Sequence, residues 1–84
     1  MNNKILVKIL VPEIDEVYDV FIPINIRIGM VIKLLNDSLT EVSNGLYVVK
    51  NNRKIYNVED ANPYPFNKLV RETNIRNGST IIFM

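Results

Sequence analysis

The sequence predicts an α+β domain in which a mixed sheet of four or five strands carries one main helix across a single face. Three observations lead there. Only residues 28–43 repeat apolar side chains at helical spacing, with Ile28, Val31, Ile32, Leu35, Leu39 and Val42 in steps of three and four. The remaining apolar segments are short and separated by turn residues, which is the pattern of strands. A single amphipathic helix must bury its stripe on another layer, and a sheet is the layer this chain can supply.

Residues 4–11 alternate, with Lys4, Leu6, Lys8 and Leu10 on one face and Ile5, Val7, Ile9 and Val11 on the other. The two lysines mark the first face as outward and the second as core. Pro12-Glu13-Ile14-Asp15 forms a short connection to a returning strand over residues 16–22. One antiparallel register pairs Lys8 with Asp19 and Leu6 with Phe21 outward, and Ile5 with Ile22 and Val7 with Val20 inward. Each such pair is favourable by about 0.2–1 kcal/mol, and a slip of one residue would turn the core side chains into solvent.

Pro23 closes that strand and residues 24–27 lead into the helix, where Met30 and Leu34 widen the apolar stripe. Asn44-Gly45 ends it, because residues tolerant of positive φ close the last carbonyls best. Residues 46–50 read as a third strand, Asn51-Asn52 as a two-residue turn and residues 53–57 as the short return, a hairpin that would turn Ile55 outward. Residues 58–74 are irregular, since Asn62-Pro63-Tyr64-Pro65 cannot continue a ladder. The Tyr64–Pro65 bond is expected to be trans and the loop to cover the open end of the core. A helical turn begins at Leu69, Asn77-Gly78 turns the chain, and residues 79–84 form the last strand. The first and last strands are placed side by side in the centre, where the two most apolar strands are protected. The expected core comprises Ile5, Val7, Ile9, Val20, Ile22, Ile32, Leu35, Leu39, Ile81 and Phe83.

Length and composition narrow the functional classes. Eighty-four residues make one domain, 1–84, near the lower limit for a core without staples. With no cysteine and no histidine, the chain has no thiolate nucleophile, no imidazole base and none of the usual zinc ligands. A net charge of +1 gives no general attraction to nucleic acid or anionic membrane. Residues 2–11 carry a lysine and an apolar run like the start of a signal peptide, but Lys8 interrupts the run and no small-residue cleavage site follows. No apolar stretch nears the roughly 20 residues of a spanning helix. The expectation is a soluble, cytoplasmic protein without catalytic activity, metal or cofactor.

The run Tyr18-Asp19-Val20-Phe21-Ile22-Pro23, followed by Arg27-Ile28-Gly29-Met30-Val31-Ile32-Lys33-Leu34-Leu35, resembles the strand–proline–helix entry of bacterial ubiquitin-like proteins. The ending, from Leu69 through Asn74-Ile75-Arg76-Asn77-Gly78-Ser79-Thr80-Ile81-Ile82, resembles their closing turn and strand. The chain is similar to the YukD/EsaB family, small ubiquitin-like proteins associated with type VII secretion in Gram-positive bacteria. The resemblance implies a beta-grasp fold and a non-catalytic interaction role as an accessory factor of such a system. It departs from the family over residues 58–68, where the Pro-Tyr-Pro loop is longer. The alternative of the same fold is a protein modifier or sulfur carrier, but such members close with Gly-Gly, whereas this sequence ends Ile82-Phe83-Met84 within a strand.

The partner expected is therefore a protein, either secretion machinery or a second copy of the chain, with no nucleic acid and no membrane insertion. The candidate protein-binding residues are Leu6, Phe21, Val48, Ile82 and Met84, which the strand reading places on the uncovered sheet face. Lys50, Arg53 and Lys54 form a basic tip near Tyr47 and Tyr56, a pattern that could take phosphates and stack bases, although the balanced charge argues against it. Glu13, Asp15, Glu16 and Asp19 group around the first turn; lacking the spacing of a calcium loop, they read as solvated turn charges, as do Glu59 and Asp60.

Overall fold

The computed structural model describes residues 3–84; Met1 and Asn2, where the apolar N-terminal run begins, lie outside the described residues. The elements are strand β1 (Lys4–Val11), strand β2 (Glu16–Pro23), helix α1 (Ile28–Val42), strand β3 (Ile55–Asn57) and strand β4 (Thr80–Phe83), with 3₁₀ turns at Pro12–Ile14 and Val70–Glu72. They build a four-stranded sheet in the order β2-β1-β4-β3. β1 runs antiparallel to β2 and parallel to β4, and β3 returns antiparallel to β4. The first and last strands are the central pair, as the apolarity of their sequences requires.

The β1–β2 ladder adopts the expected register throughout, from Ile5 opposite Ile22 to Leu10 opposite Val17. The Lys8 ammonium reaches the Asp19 carboxylate at 3.2 Å. Asp15 takes a left-handed conformation (φ 53°) that closes the connecting turn, with its N–H donating to the Pro12 carbonyl.

Inward residues of the strands and one stripe of α1 make a single core, including Val7, Ile9, Ile22, Leu35, Leu39, Ile81 and Phe83. Ile5 and Val20 are only half-buried against it. The helical stripe is also narrower than its sequence suggests. Val42, Met30 and Leu34 are exposed, so the buried face is Ile28, Val31, Ile32, Leu35 and Leu39. The helix closes as expected: the Gly45 N–H donates to the Thr40 carbonyl and the Asn44 N–H to the Glu41 carbonyl, with both residues at positive φ. This is the double closure of a Schellman motif.

The hairpin over residues 46–57 does not form. Residues 46–50 are irregular, and only the return segment joins the sheet, as β3. The physical reason is local. The Tyr47 N–H donates to Ser43 Oγ at 2.9 Å, and the Tyr47 hydroxyl donates to Asn36 Oδ1, so the chain stays tied to the end of α1. Tyr47 is thereby drawn into the core, where its ring stacks on Phe83 at 5.9 Å between centroids. With no strand before it, β3 takes its register from β4. Ile55 pairs with Phe83 and points inward, fully buried, rather than outward.

The basic tip is likewise turned in. Arg53 is 4% exposed and lies over the Tyr47 ring at 4.5 Å and the Phe83 ring at 5.7 Å. Its guanidinium pairs with Glu13 and donates to the Val48 carbonyl at 2.8 Å. Lys50 meets the other Glu13 oxygen at 2.9 Å. Glu13 is therefore the clasp between the first turn and the irregular segment, not a solvated turn charge. These contacts hold its carboxyl below the usual 4.5, the Lys50 hydrogen bond being the largest cause and the Arg53 bond the next.

Residues 58–69 fold back on the outer edge of β3. The Asn57 N–H donates to the Asn62 carbonyl and the Tyr64 N–H to the Ile55 carbonyl. Tyr64 packs against the core while its hydroxyl donates to Asn74 Oδ1 at 2.6 Å, and no cis peptide occurs among the described residues. The loop thus covers one edge of the sheet, a common protection against edge-to-edge pairing.

Candidate protein-docking surface

With α1 on one face of the sheet, the other face is built from the outward residues of all four strands. The registers arrange them in cross-strand rows. Val17 of β2 faces Leu10 of β1, Leu10 faces Ile82 of β4, and Ile82 faces Tyr56 of β3. This gives one apolar row across the full width of the sheet. Val17 is exposed, and Leu10, Ile82 and Tyr56 are partly so. The next row is polar, with Asp19, Lys8 and Thr80 in register. Beyond it lies a second apolar pair, Leu6 and Phe21, with Phe21 the more exposed at 64%.

The five residues singled out in the sequence are thus divided. Leu6 and Phe21 face one another on the outer surface, and Ile82 lies on the same surface across the Lys8–Asp19 ion pair. Met84 is exposed just beyond the end of β4, where its N–H donates to the Lys54 carbonyl at 3.2 Å. Val48 is exposed but sits in the irregular segment, not on a strand of this face. Leu10, Val17 and Tyr56 complete the longer row and were not among the candidates. Two of them were within reach, since the β1–β2 register sets Leu10 against Val17. Tyr56 was not, because its orientation depends on pairing with a strand distant in sequence.

Other candidate chemistry is absorbed by structure. The Tyr47 ring is covered by Arg53 and cannot offer a face to a base. Burial raises its hydroxyl pKa, as it does that of Tyr64. Asp19 pairs with Lys8 and Glu13 with Lys50 and Arg53, and among the described residues no three carboxylates converge to hold a metal. Among the described residues no helix is long and apolar enough to cross a membrane.

A parallel central pair, a single helix across one face and a short strand ahead of the last one together define a known architecture. No protein-family profile and no curated protein matches the sequence. Solved structures match over nearly the whole chain. One is the ubiquitin-like domain of the type VII secretion protein EccD1 of Mycobacterium tuberculosis, with a TM-score of 0.76 at 14% identity, covering 100% of this chain and 99% of that one. The fold is the ubiquitin-like beta-grasp.

A second beta-grasp relative in structure is the EccD5 ubiquitin-like domain of Mycobacterium xenopi, with a TM-score of 0.72 at 18% identity over 99% of this chain and 94% of that one. A chain of the ESX-5 inner membrane complex matches 99% of this sequence with a TM-score of 0.73 at 15% identity, but the matched part is 21% of its length. The fold is not confined to such domains. A chain of a toluene 4-monooxygenase complex matches with a TM-score of 0.76 at 11% identity, over 95% of each chain.

Proposed function

We propose that this chain is a non-catalytic interaction module of the YukD/EsaB kind, acting in the cytoplasm of a Gram-positive bacterium as an accessory factor of a type VII (WXG100) secretion system. The observation that carries the interaction role is the apolar row Val17–Leu10–Ile82–Tyr56, presented across four strands and uncovered by any layer of the described chain. Its position beside the Lys8–Asp19 pair gives an apolar strip with a charged margin, which is how modest protein interfaces are built. The likeness to EccD ubiquitin-like domains supports the secretion setting.

The test is a pull-down from extract of the native host with the parent chain and a Leu10→Ala/Ile82→Ala double variant, circular dichroism serving as the folding control. Truncating central anchors of an interface typically costs more than about 1 kcal/mol, so recovery of a secretion-system component should fall at least about fivefold. A folded double variant that retains every partner of the parent would remove the sheet face from consideration. A second copy of the chain is the alternative occupant, and sedimentation of the parent at several concentrations distinguishes it from a different protein.

A further inference from the structure

The chain protects one edge of its sheet and leaves the other bare. At the outer edge of β3 the Asn57 N–H donates to the Asn62 carbonyl, the Tyr64 N–H donates to the Ile55 carbonyl, and Tyr56 bridges to Pro63. The outer edge of β2 has no such cover among the described residues, although β2 spans eight residues and β3 only three. β2 pairs residue for residue with β1 from Glu16 to Pro23, without a bulge. It contains no lysine, and its one proline is its last residue. Of the devices that usually blunt an edge, only the charges of Glu16 and Asp19 are present.

The ladder decides which backbone groups face outward, because bonded and non-bonded residue pairs alternate between antiparallel strands. The Ile24 N–H donates to the Asn3 carbonyl at 2.8 Å. On its other side β1 donates from Lys8 to the Ser79 carbonyl and accepts at Leu6 from Gly78. Both facts place Glu16, Tyr18, Val20 and Ile22 in the bonded pairs with β1. The N–H and C=O groups of Val17, Asp19 and Phe21 therefore point away from the sheet, and none of them has a partner among the described residues. Such a row of alternating donors and acceptors is complementary to the backbone of another extended segment.

The side chains of the same residues specify the segment. Val17 is 52% exposed and Phe21 64%, both on the outer face, with the Asp19 carboxylate between them. Lys8 engages only Oδ1 of that carboxylate, at 3.2 Å, and the Asp19 side chain remains 62% exposed. A second copy of β2 fits this edge poorly. Full antiparallel overlap sets Asp19 opposite its own copy, and like charges directly opposite destabilise a ladder. A shift that keeps the bonded pairs in phase brings in either Pro23, which has no N–H, or Asp15, whose left-handed turn precedes the strand.

We propose that the β2 edge binds an extended peptide segment as an added antiparallel strand, with a basic residue opposite Asp19 and apolar residues opposite Val17 and Phe21. The backbone ladder supplies the pairing, and the three side-chain positions select an apolar–x–basic–x–apolar sequence. The edge recognises a backbone, whereas the row Val17–Leu10–Ile82–Tyr56 presents side chains, so either surface can fail without the other.

The experiment titrates the ¹⁵N-labelled chain with the end-blocked peptide Thr-Val-Thr-Arg-Thr-Val-Thr, followed by amide shifts and hydrogen exchange. One control peptide carries Glu in place of Arg. Another is N-methylated at Arg and both Val residues, which keeps the side chains but removes the donors of the paired edge. The expected result is saturable binding of the Arg peptide, with exchange slowed at the Val17, Asp19 and Phe21 N–H groups and unchanged at Tyr18 and Val20. The Glu peptide should bind at least about fivefold more weakly, and the N-methylated peptide should not bind. Asp19→Asn should bring the Arg and Glu peptides to within about twofold of each other. Leu10→Ala/Ile82→Ala should bind the Arg peptide as the parent does, which separates this edge from the sheet face. No saturable binding of the Arg peptide, equal binding of either control, or shifts confined to Leu10, Ile82 and Tyr56 would each overturn the proposal. So would exchange at Val17, Asp19 and Phe21 that slows with protein concentration alone, which would make a second copy the occupant.

Discussion

Arg53 shows how a side chain that reads as surface can become part of a core. Its guanidinium lies over two aromatic rings, reaches the Val48 carbonyl and pairs with Glu13, while its Nε has no acceptor among the described residues. A desolvated cation–π contact is worth up to about 2 kcal/mol, and the Val48 carbonyl would lose its donor as well. Arg53→Ala is therefore expected to cost about 1–3 kcal/mol, read as a lower urea midpoint at unchanged slope. Glu13 adds a pH dependence. Its folded pKa is lowered from 4.5, so the clasp contributes fully above that value and is lost as pH falls through the folded pKa. Urea midpoints measured from pH 7 down to about pH 3 should fall more steeply below 4.5 for the parent than for Glu13→Gln. Parallel curves would show that the clasp carries no stability. None of this was legible in the sequence, because Lys50, Arg53 and Lys54 look like any solvated basic tip until Tyr47 and Phe83 are known to meet. Burial of an arginine is decided by neighbours distant in the chain.

At the scale of elements, legibility followed the range of the forces involved. The β1–β2 register was readable because one alignment satisfies an ion pair, an aromatic–aliphatic pair and two core pairs at once. The end of α1 was readable because Asn44 and Gly45 tolerate the conformations that the closure needs, with φ of 55° and 82°. The hairpin after it does not form: the short apolar run of residues 46–49 is a weak strand signal, and the bonds of Tyr47 to Ser43 and Asn36 outweigh it. The same element carries two opposed predictions. Gly45→Ala should destabilise by about 1–2 kcal/mol, because a Cβ at that φ is strained even in open space. Gly29→Ala should stabilise by about 0.4–1 kcal/mol, since its Cβ would meet the Phe66 carbonyl at an ordinary 3.6 Å and the unfolded chain would lose freedom. Thermal melts followed at 222 nm check both, and a stabilised Gly45→Ala would contradict the left-handed closure.

The whole molecule is held by one core to which every element contributes. Leu35 from α1, Ile9 from β1, Ile22 from β2, Ile55 from β3 and Ile81 from β4 all belong to it, joined by Tyr47, Val70 and Ile75 from the connecting segments. A domain of this size has only about 4–12 kcal/mol of net stability at 0.05–0.15 kcal/mol per residue. Among the described residues no segment has a second core on which to remain folded, so unfolding should be two-state. Tyrosine fluorescence, to which the buried ring of Tyr47 contributes, and helical circular dichroism should give superimposable urea curves. Leu35 is 1% exposed, and truncating such a side chain to alanine costs about 2–5 kcal/mol through lost contacts and the cavity left behind. Leu35→Ala should therefore move both curves to lower urea by the same amount, although Tyr47 lies beyond the helix end. If the fluorescence curve stayed in place while the helical signal shifted, the irregular segment and β3 would form a unit of their own. The apolar row, which crosses from β2 to β3, would then span parts of the molecule that can unfold separately, not one rigid body.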